Sequence, residues 1–367
     1  MNKMIFANLV HRPIRTFISI IAVAVEVTLI LLIVGLSVGM LTDAKDRQAG
    51  IGADVMVRPP GSSNLIGITG SPAPVKVADV LRKVPHVQVV SPVITQLSTS
   101  GAVEVIYGID YASFNSMGVP FRFLAGGPFA GAYDAIVDDY FAASKRLHVG
   151  EKIEILNQQF TVCGIVEHGK GARKFVPLST MQELIGAPGK ASMFYVKLDD
   201  PKYAEAIAAD IRKIPGMSGY VVTSLREYLS LMTTSNIPGL SAFINVVIGV
   251  AVVIGFIVIF QAMYAAVTER TREIGILKSM GASKTYVVSA ILRETAVLAV
   301  LGICLGIAIS YTARGAIVAR FSTLRIMVTP EWILRATAIA IVGALLGAIY
   351  PALKAAQKDP IDALAYE

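Results

Sequence analysis

Residues 268–285 read TERTREIGILKSMGASKT, and they separate two long apolar runs, residues 240–266 and 286–309. About 20 apolar residues are enough for a helix to cross the hydrocarbon core of a bilayer. The charged stretch therefore connects two predicted membrane spans. Its apolar residues recur at helical spacing, Gly281 suits a left-handed helix end, and Ser283 suits the start of the next helix. The pattern predicts a short surface helix that can transmit a push from a soluble partner to both spans.

The composition is that of a membrane protein. Of the 367 residues, 54% are hydrophobic and 16% are charged, whereas soluble domains carry about 25% charged residues. The net charge of +7 comes from basic residues that cluster at the ends of apolar runs. This placement is typical of residues that orient membrane spans, and it argues against a nucleic-acid-binding surface. The basic residues before the first span predict a cytoplasmic N-terminus.

The predicted fold is a membrane protein of four transmembrane helices, with a large extracytoplasmic α+β domain between the first and the second. An even number of spans places the C-terminus in the cytoplasm as well. The predicted segments are a cytoplasmic amphipathic helix at 1–16, spans at 17–40, 238–267, 286–311 and 332–352, the domain at 41–237, a cytoplasmic coupling segment at 268–285, an outer loop at 312–331 and a tail at 353–367.

The domain at 41–237 shows alternating apolar patterns without a spanning segment. These patterns predict strands at 54–58, 87–93, 103–109, 193–198 and 220–223, helices at 77–84 and 203–214, and loops at 59–74 and 125–131. Residues 149–166 predict a strand pair with its turn at Asn157 and Gln158.

REIGILKSMGAS, residues 272–283, resembles the signature of the MacB/FtsX/LolC-like permeases, the membrane subunits of type VII ABC transporters. GADVMVRPPG after the first span and VGEKIEILNQQFTVCGIV resemble the periplasmic core domain of that family, and YPALKAAQKDPIDALAYE resembles its C-terminal end. The resemblance covers nearly the whole chain. It implies an FtsX-like membrane domain and a MacB-like periplasmic core domain of two lobes, the second placed at about 178–224.

The resemblance implies that the segment at 268–285 docks on an ATPase, whereas its charges alone would fit an ordinary basic loop. The candidate coupling residues are Glu269, Arg270, Arg272, Glu273, Ile274, Gly275, Leu277, Lys278, Met280, Gly281, Ala282 and Ser283.

Polar and small residues inside the spans form a second candidate set. Glu26 lies about 15 Å into the first span at ~1.5 Å per residue, where a carboxylate is costly. It is either a structural, neutralised group or a group that lines a dimer interface or binds a cationic substrate. Glu294 matches a glutamate common in the family and is interpreted as structural. Close helix packing, and a dimer face, is predicted at Gly35, Gly39, Gly302, Gly306, Gly343 and Gly347.

The sequence carries no catalytic motif and no metal-ligand spacing. Residues 189–191, GKA, lack the hydroxyl residue and upstream glycine of a phosphate-binding loop, and the GLSVG at 35–39 lies inside a span rather than on a nucleophile turn. The four histidines do not cluster, and the two cysteines predict no disulfide. The chain is therefore predicted not to be an enzyme and to hold no cofactor, with ATP and Mg bound by a separate ATPase, unlike MacB proper.

The predicted function is that of a permease subunit of an ATP-driven transporter that exports or extracts a substrate by mechanotransmission. The implied assembly has two ATPase copies and a second permease copy, in a homo- or heterodimer, in a bacterial inner membrane. An FtsX-like regulator of a cell-wall hydrolase and a lipoprotein-releasing subunit are the alternatives. The substrate, and the presence of a periplasmic adaptor or outer-membrane channel, stay open.

Overall fold

The computed structural model describes residues 13–62, 71–98 and 104–358. The chain divides into two compact units. The membrane unit takes the described residues up to Gly39, Gly239–Ala319 and those from Ile326 onward, and the inserted domain takes those of Met40–Pro238 and Arg320–Arg325. Most of the predicted helix at 1–16 and the end of the predicted tail lie outside the described residues.

The helices are named in chain order. They are α1 (Pro13–Gly50), α2 (Val77–Leu81), α3 (Tyr111–Asn115), α4 (Asp139–Lys145), α5 (Leu178–Leu184), α6 (Ala204–Lys213), α7 (Leu225–Leu231), α8 (Leu240–Glu269), α9 (Thr271–Ser279), α10 (Lys284–Arg320) and α11 (Pro330–Gln357). The strands are β1 (Val55–Arg58), β2 (Ala73–Pro74), β3 (Val87–Ser98), β4 (Glu104–Ile109), β5 (Phe123–Gly126), β6 (Asp134–Asp138), β7 (Lys152–Ile155), β8 (Gln158–Val166), β9 (Lys174–Pro177), β10 (Lys190–Ala191), β11 (Met193–Leu198) and β12 (Val221–Ser224).

Four helices, α1, α8, α10 and α11, are long and apolar enough to cross a membrane, as predicted. All four extend beyond the predicted spans, α1 and α10 by the most at their C-terminal ends. α1 continues to Gly50 because Asp43 and Arg47 pair at 3.1 Å one turn apart along the helix and so support it rather than end it. α10 continues to Arg320, whose positive charge suits a helix C-terminus. The prediction of a loop over all of 312–331 is therefore wrong, and the loop covers 321–329.

The membrane unit is held together by apolar packing between the four long helices. Its core takes valines and isoleucines from α1 and a row of alanines from α11 at four-residue intervals: Ala336, Ala340, Ala344 and Ala348. Residues four apart lie on one side of a helix, so these alanines form one small-residue face. Small residues allow close approach of helix backbones in lipid, which suits the extensive contact between α8 and α11.

The inserted domain is built on one mixed ten-stranded sheet with the order β12-β1-β11-β3-β4-β9-β6-β8-β5, in which β7 also pairs with β8. The β4–β9 and β6–β8 pairs are parallel, and the other pairs are antiparallel. A separate two-stranded ribbon joins β2 and β10. The predicted α+β character is confirmed as a mixed α/β domain.

β1, β3, β4, β11 and β12 lie close to predicted strands, whereas β5, β6 and β9 were not predicted. β6 and β9 are buried at nearly every position and β5 is mostly exposed, so none of the three shows an alternating pattern. The β7–β8 turn lies at Leu156 and Asn157, both left-handed with φ of 53° and 62°, one residue earlier than predicted. Two left-handed residues make the turn type that matches strand twist.

The predicted second lobe at 178–224 is wrong as a continuous segment. On one face of the sheet, α2 and α6 cover the end with β1, β11 and β12, while α4 and α5 cover the end with β6 and β8. Since α5 belongs to the second cluster and β11 to the first, residues 178–224 contribute to both cores. The two lobes are therefore the two ends of one sheet. The chain crosses from the end with β1 to the end with β8 and then returns to β11 and β12.

Candidate functional site

The candidate coupling segment folds as α9, a short helix separated from α8 by Arg270. Arg270 leaves the helical conformation with φ −105° and ψ 18°. Thr271 donates its hydroxyl hydrogen to the carbonyl of Val267 or Thr268, at 3.1 and 2.9 Å. A side chain that binds the last carbonyls of a helix competes with its continuation. The break at Arg270 lies next to this bond, and there is no proline at it.

Gly281 ends α9 as predicted. Its φ is +95°, the amide of Gly281 donates to the carbonyl of Lys278 and the amide of Ala282 donates to the carbonyl of Leu277, each at 3.0 Å. These two bonds are those of a Schellman motif. Ser283 then caps α10 by accepting the Tyr286 amide at 3.2 Å, so one tight turn redirects the chain.

One face of α9 is fixed to the membrane unit. Gly275 is buried, and Ile274 packs on a cluster formed by Val267, Val287 and two alanines of α11. Lys278 donates its ammonium hydrogens to the carbonyl of Ala356 at 2.9 Å and to that of Lys358. A cation at a helix C-terminus is favoured by the helix dipole. Thus α9 is attached to α8, α10 and α11 together.

The opposite face of α9 combines exposed charge with exposed apolar surface. Arg272 and Glu273 are exposed, and Ile276 and Met280 are 42% and 71% exposed. Met280 follows the last helical turn, so it does not extend the packed face of Ile274 and the half-buried Leu277. An exposed apolar group rimmed by charges is typical of a binding surface.

A buried ion-pair network lies behind this helix. Arg270 pairs with Glu294 of α10 at 3.1 Å, and both side chains are about nine-tenths buried. Arg15 of α1 lies 3.4 Å from Glu269 and 4.0 Å from Glu294. The network therefore ties α1 and α10 to the α8–α9 junction. The structure places Glu294 beside the coupling residues.

A small cleft of about 70 Å³, open to solvent, lies between α8, α9 and α10. Its lining is mainly apolar, with Arg270, Glu273 and Glu294 among the residues that border it.

Glu26 lies inside the helix bundle and is only 4% exposed. Its Oε1 atom has no hydrogen-bond partner in the described part of the chain. The carboxyl group contacts Gly255 of α8 so closely that a Cβ added there would come within 2.0 Å of Oε2, and Gly343 of α11 is also near. Glu26 therefore occupies space that the glycines leave open.

The predicted packing glycines differ in how tightly they are enclosed. A Cβ at Gly302 or Gly306 would come within 3.0 Å of backbone and side-chain atoms of α1, and one at Gly347 within 2.9 Å of the Phe256 carbonyl oxygen of α8. Gly35 meets the backbone of Met327 near the start of α11, and Gly343 has open space out to 3.9 Å. Gly39 is buried. Gly35, Gly302, Gly306 and Gly347 thus lie against neighbouring segments of the same chain, and the predicted dimer face stays a prediction.

Within the described ranges, no group of three or more His, Cys, Asp and Glu side chains is arranged to hold a metal ion. Cys163 and Cys304 are free there.

Comparison with known proteins decides the family. A model of the MacB-like periplasmic core domain matches residues 16–214, which is more than half of the chain, and a model of the FtsX-like permease C-terminal region matches residues 245–360. The chain belongs to the MacB/FtsX-like permease family of ABC transporters. The two matches cover most of α1, the inserted domain as far as residue 214, and the chain from within α8 to the end of α11.

Curated relatives agree with this assignment. An uncharacterized ABC transporter permease, YknZ of Bacillus subtilis (strain 168), is 27% identical over 61% of this chain and 58% of its own length. The macrolide export ATP-binding/permease protein MacB of Shewanella sp. (strain W3-18-1) is 25% identical over 97% of this chain and 59% of its own length. The chain thus spans less than two thirds of these relatives.

Two solved structures are also similar to this chain. The periplasmic region of MacB from Actinobacillus actinomycetemcomitans is 17% identical, with a TM-score of 0.37 over 48% of this chain and 92% of that one. The extracellular domain of YknZ from Gram-positive bacteria is 14% identical, with a TM-score of 0.36 over 46% of this chain and 98% of that one.

One charged cluster in this permease was not predicted from the sequence. Arg173 lies between Asp43 and Asp138 in the inserted domain, 3.0 Å from each carboxylate. The three residues are widely separated in the chain, and each lies in a stretch with other charges. The position of Asp43 follows only from the continuation of α1 past residue 40. This continuation makes Asp43 part of a helix rather than the polar end of a span.

Proposed function

We propose that this chain is a mechanotransmission permease driven by a separate ATPase, which docks on the exposed face of α9. The observation that carries the proposal is the two-sided nature of this helix. One side is attached to three membrane helices by Ile274 and Lys278, and the other side exposes Ile276 and Met280 beside charged residues. A force on the exposed side therefore reaches the bundle directly.

The proposed assembly contains two permease copies and two ATPase copies in a bacterial inner membrane, with both permease termini in the cytoplasm. ATP and Mg are bound by the ATPase, since this chain lacks a phosphate-binding loop. Closure of the ATPases pushes on α9, and α1 and α8 carry the motion to the inserted domain on the other side of the membrane. There a substrate is expelled or handed on.

The test is co-purification of the tagged full-length chain from its native membrane in mild detergent, followed by mass spectrometry. We expect a P-loop ATPase in roughly equal amount. Ile276→Asp and Met280→Asp each place a charge in the centre of the docking face, where desolvating an unpaired charge opposes binding. We expect the amount of ATPase that co-purifies with each variant to fall at least tenfold, while the yield of folded permease stays unchanged.

The matched control is Leu124→Asp, because Leu124 is 54% exposed in the inserted domain and so resembles the two test residues in exposure. It is expected to retain the ATPase. The docking assignment is wrong if all three variants retain it equally, and the proposed function is wrong if the unaltered chain brings down no ATPase under conditions that preserve a permease dimer.

A further inference from the structure

The inserted domain contains a buried guanidinium group that contacts three separate parts of the chain. Nη1 of Arg173 lies 3.0 Å from Oδ2 of Asp138, and Nη2 lies 3.0 Å from Oδ2 of Asp43. The Arg173 and Asp138 side chains are 10% and 2% exposed. Asp138 ends β6, and Asp43 lies on the part of α1 that belongs to the inserted domain.

The third contact reaches the loop between α10 and α11. Nη2 of Arg173 also donates to the carbonyl oxygen of Thr323 at 3.1 Å. In the same loop, the Ser322 hydroxyl donates to the Tyr140 carbonyl at 2.9 Å, and Arg325 pairs with Asp46 of α1. The loop is thereby fixed both to the domain and to α1.

The backbone next to Arg173 follows the end of α1. The amide of Gly171 donates to the carbonyl of Arg47 at 2.7 Å, and a Cβ at Gly50 would lie 1.8 Å from the Gly169 carbonyl oxygen. Only glycine fits at position 50 with this spacing. Residues 169–173 therefore lie directly against the last turns of α1 and hold Arg173 in place.

The chemistry of this group makes its contacts depend on one another. A guanidinium presents donors in a fixed planar fork and keeps its charge. A buried charge that loses one of its partners is less well compensated. Moving α1 away from Arg173 breaks the ion pair with Asp43, and moving the loop away breaks the hydrogen bond to Thr323, so both movements cost free energy.

We propose that Arg173 is a positioning residue that locks the end of α1 and the α10–α11 loop to the inserted domain, so that the three move together. Its role in coupling rests on the proposed function, in which α1 carries motion to this domain. Lysine cannot replace arginine here, because one ammonium group cannot occupy both ends of the fork and also reach the Thr323 carbonyl.

The test measures the distance between α1 and the loop in the folded chain. Cysteines replace Asp46 and Arg325 in a full-length background in which Cys163 and Cys304 are changed to alanine, and a short bifunctional thiol reagent cross-links them. Arg173→Lys keeps a positive charge between the two carboxylates, so the domain is expected to fold. We expect its cross-linking rate to fall at least threefold, and Arg173→Gln, where it folds, to show a larger decrease.

The matched control is Arg122→Lys, since Arg122 pairs with Glu167 on the exposed surface of the same domain at 3.2 Å. Its cross-linking rate is expected to match the unaltered chain. Equal rates for Arg173→Lys and the unaltered chain would overturn the lock, as would an equal decrease in Arg122→Lys. Cross-linking needs no ATPase, whereas the proposed function fails through absent co-purification, so the two failures are distinguishable.

Discussion

Replacement of Gly306 by alanine tests how closely α10 lies against α1. The added Cβ would come 2.7 Å from the Ala24 carbonyl oxygen and 2.9 Å from Cβ of Val27. Non-bonded atoms prefer separations of about 3.5 Å or more, so the two helices must move apart by roughly 0.8 Å. The same movement lengthens the hydrogen bond from the Thr28 hydroxyl to the Gly306 carbonyl, now 3.1 Å.

Overpacking of this kind costs about 1–3 kcal/mol, which lowers the unfolding temperature on the order of 2–12 °C. The measurement is thermal unfolding of the detergent-solubilised chain. Gly343→Ala is the control, because its added Cβ meets nothing closer than 3.9 Å, and the higher helix propensity of alanine adds about 0.5–1 kcal/mol. If Gly306→Ala were as stable as Gly343→Ala, the close contact between α1 and α10 would be wrong.

Two further predictions concern buried charges. Arg270→Met leaves the Glu294 carboxylate without its 3.1 Å partner, which costs about 3–5 kcal/mol for a buried pair; adding Glu294→Gln is expected to recover most of the unfolding temperature, and no recovery would contradict the pairing. Burial raises the pKa of Asp138 from its ordinary 3.8 to about 6, although Arg173 partly opposes this. Between pH ~4 and ~6, the carboxyl group of Asp138 keeps its proton in the folded domain and has released it in the unfolded chain. This group therefore stabilises the folded domain below pH ~4, and its contribution to the free energy of unfolding is lost as the pH rises through ~6. The loss amounts to about 3 kcal/mol at ~1.36 kcal/mol per pKa unit. Because Asp138→Asn removes the titration, the unfolding temperature of the unaltered chain relative to this variant should fall between pH 4.5 and 7.5, and a constant difference would contradict the raised pKa.

The membrane helices were predictable because lipid imposes a length and a composition on them. All four begin and end near apolar runs that are visible in the sequence. The predicted ends were less accurate where a helix continues into water. Asp43, Asp46 and Arg47 read as the polar boundary of a span, yet they stay helical because they pair with each other and with distant residues of the inserted domain.

The candidate site was predictable where it depends on neighbours in the chain. The left-handed Gly281 and the cap at Ser283 follow from residue type at adjacent positions. The partners of Lys278 and Arg270 did not follow, because they lie on α11 and α10 and are brought together by tertiary packing. The resemblance of residues 272–283 to a permease family predicted a coupling segment there, and the contacts of α9 show how this segment is attached to the membrane unit.

α1 is a long apolar helix with charged residues near both of its ends. Within the membrane unit, Arg15 at one end pairs with residues of the α8–α9 junction and of α10. Within the inserted domain, Asp43 and Arg47 at the other end hold Arg173 and the backbone of Gly171. Apolar contacts tolerate sliding of one helix along another, whereas a buried ion pair is lost when its geometry changes. Charged contacts therefore fix the first end of α1 within the membrane unit and the last turns of α1 within the inserted domain, which fits the role proposed above for this helix.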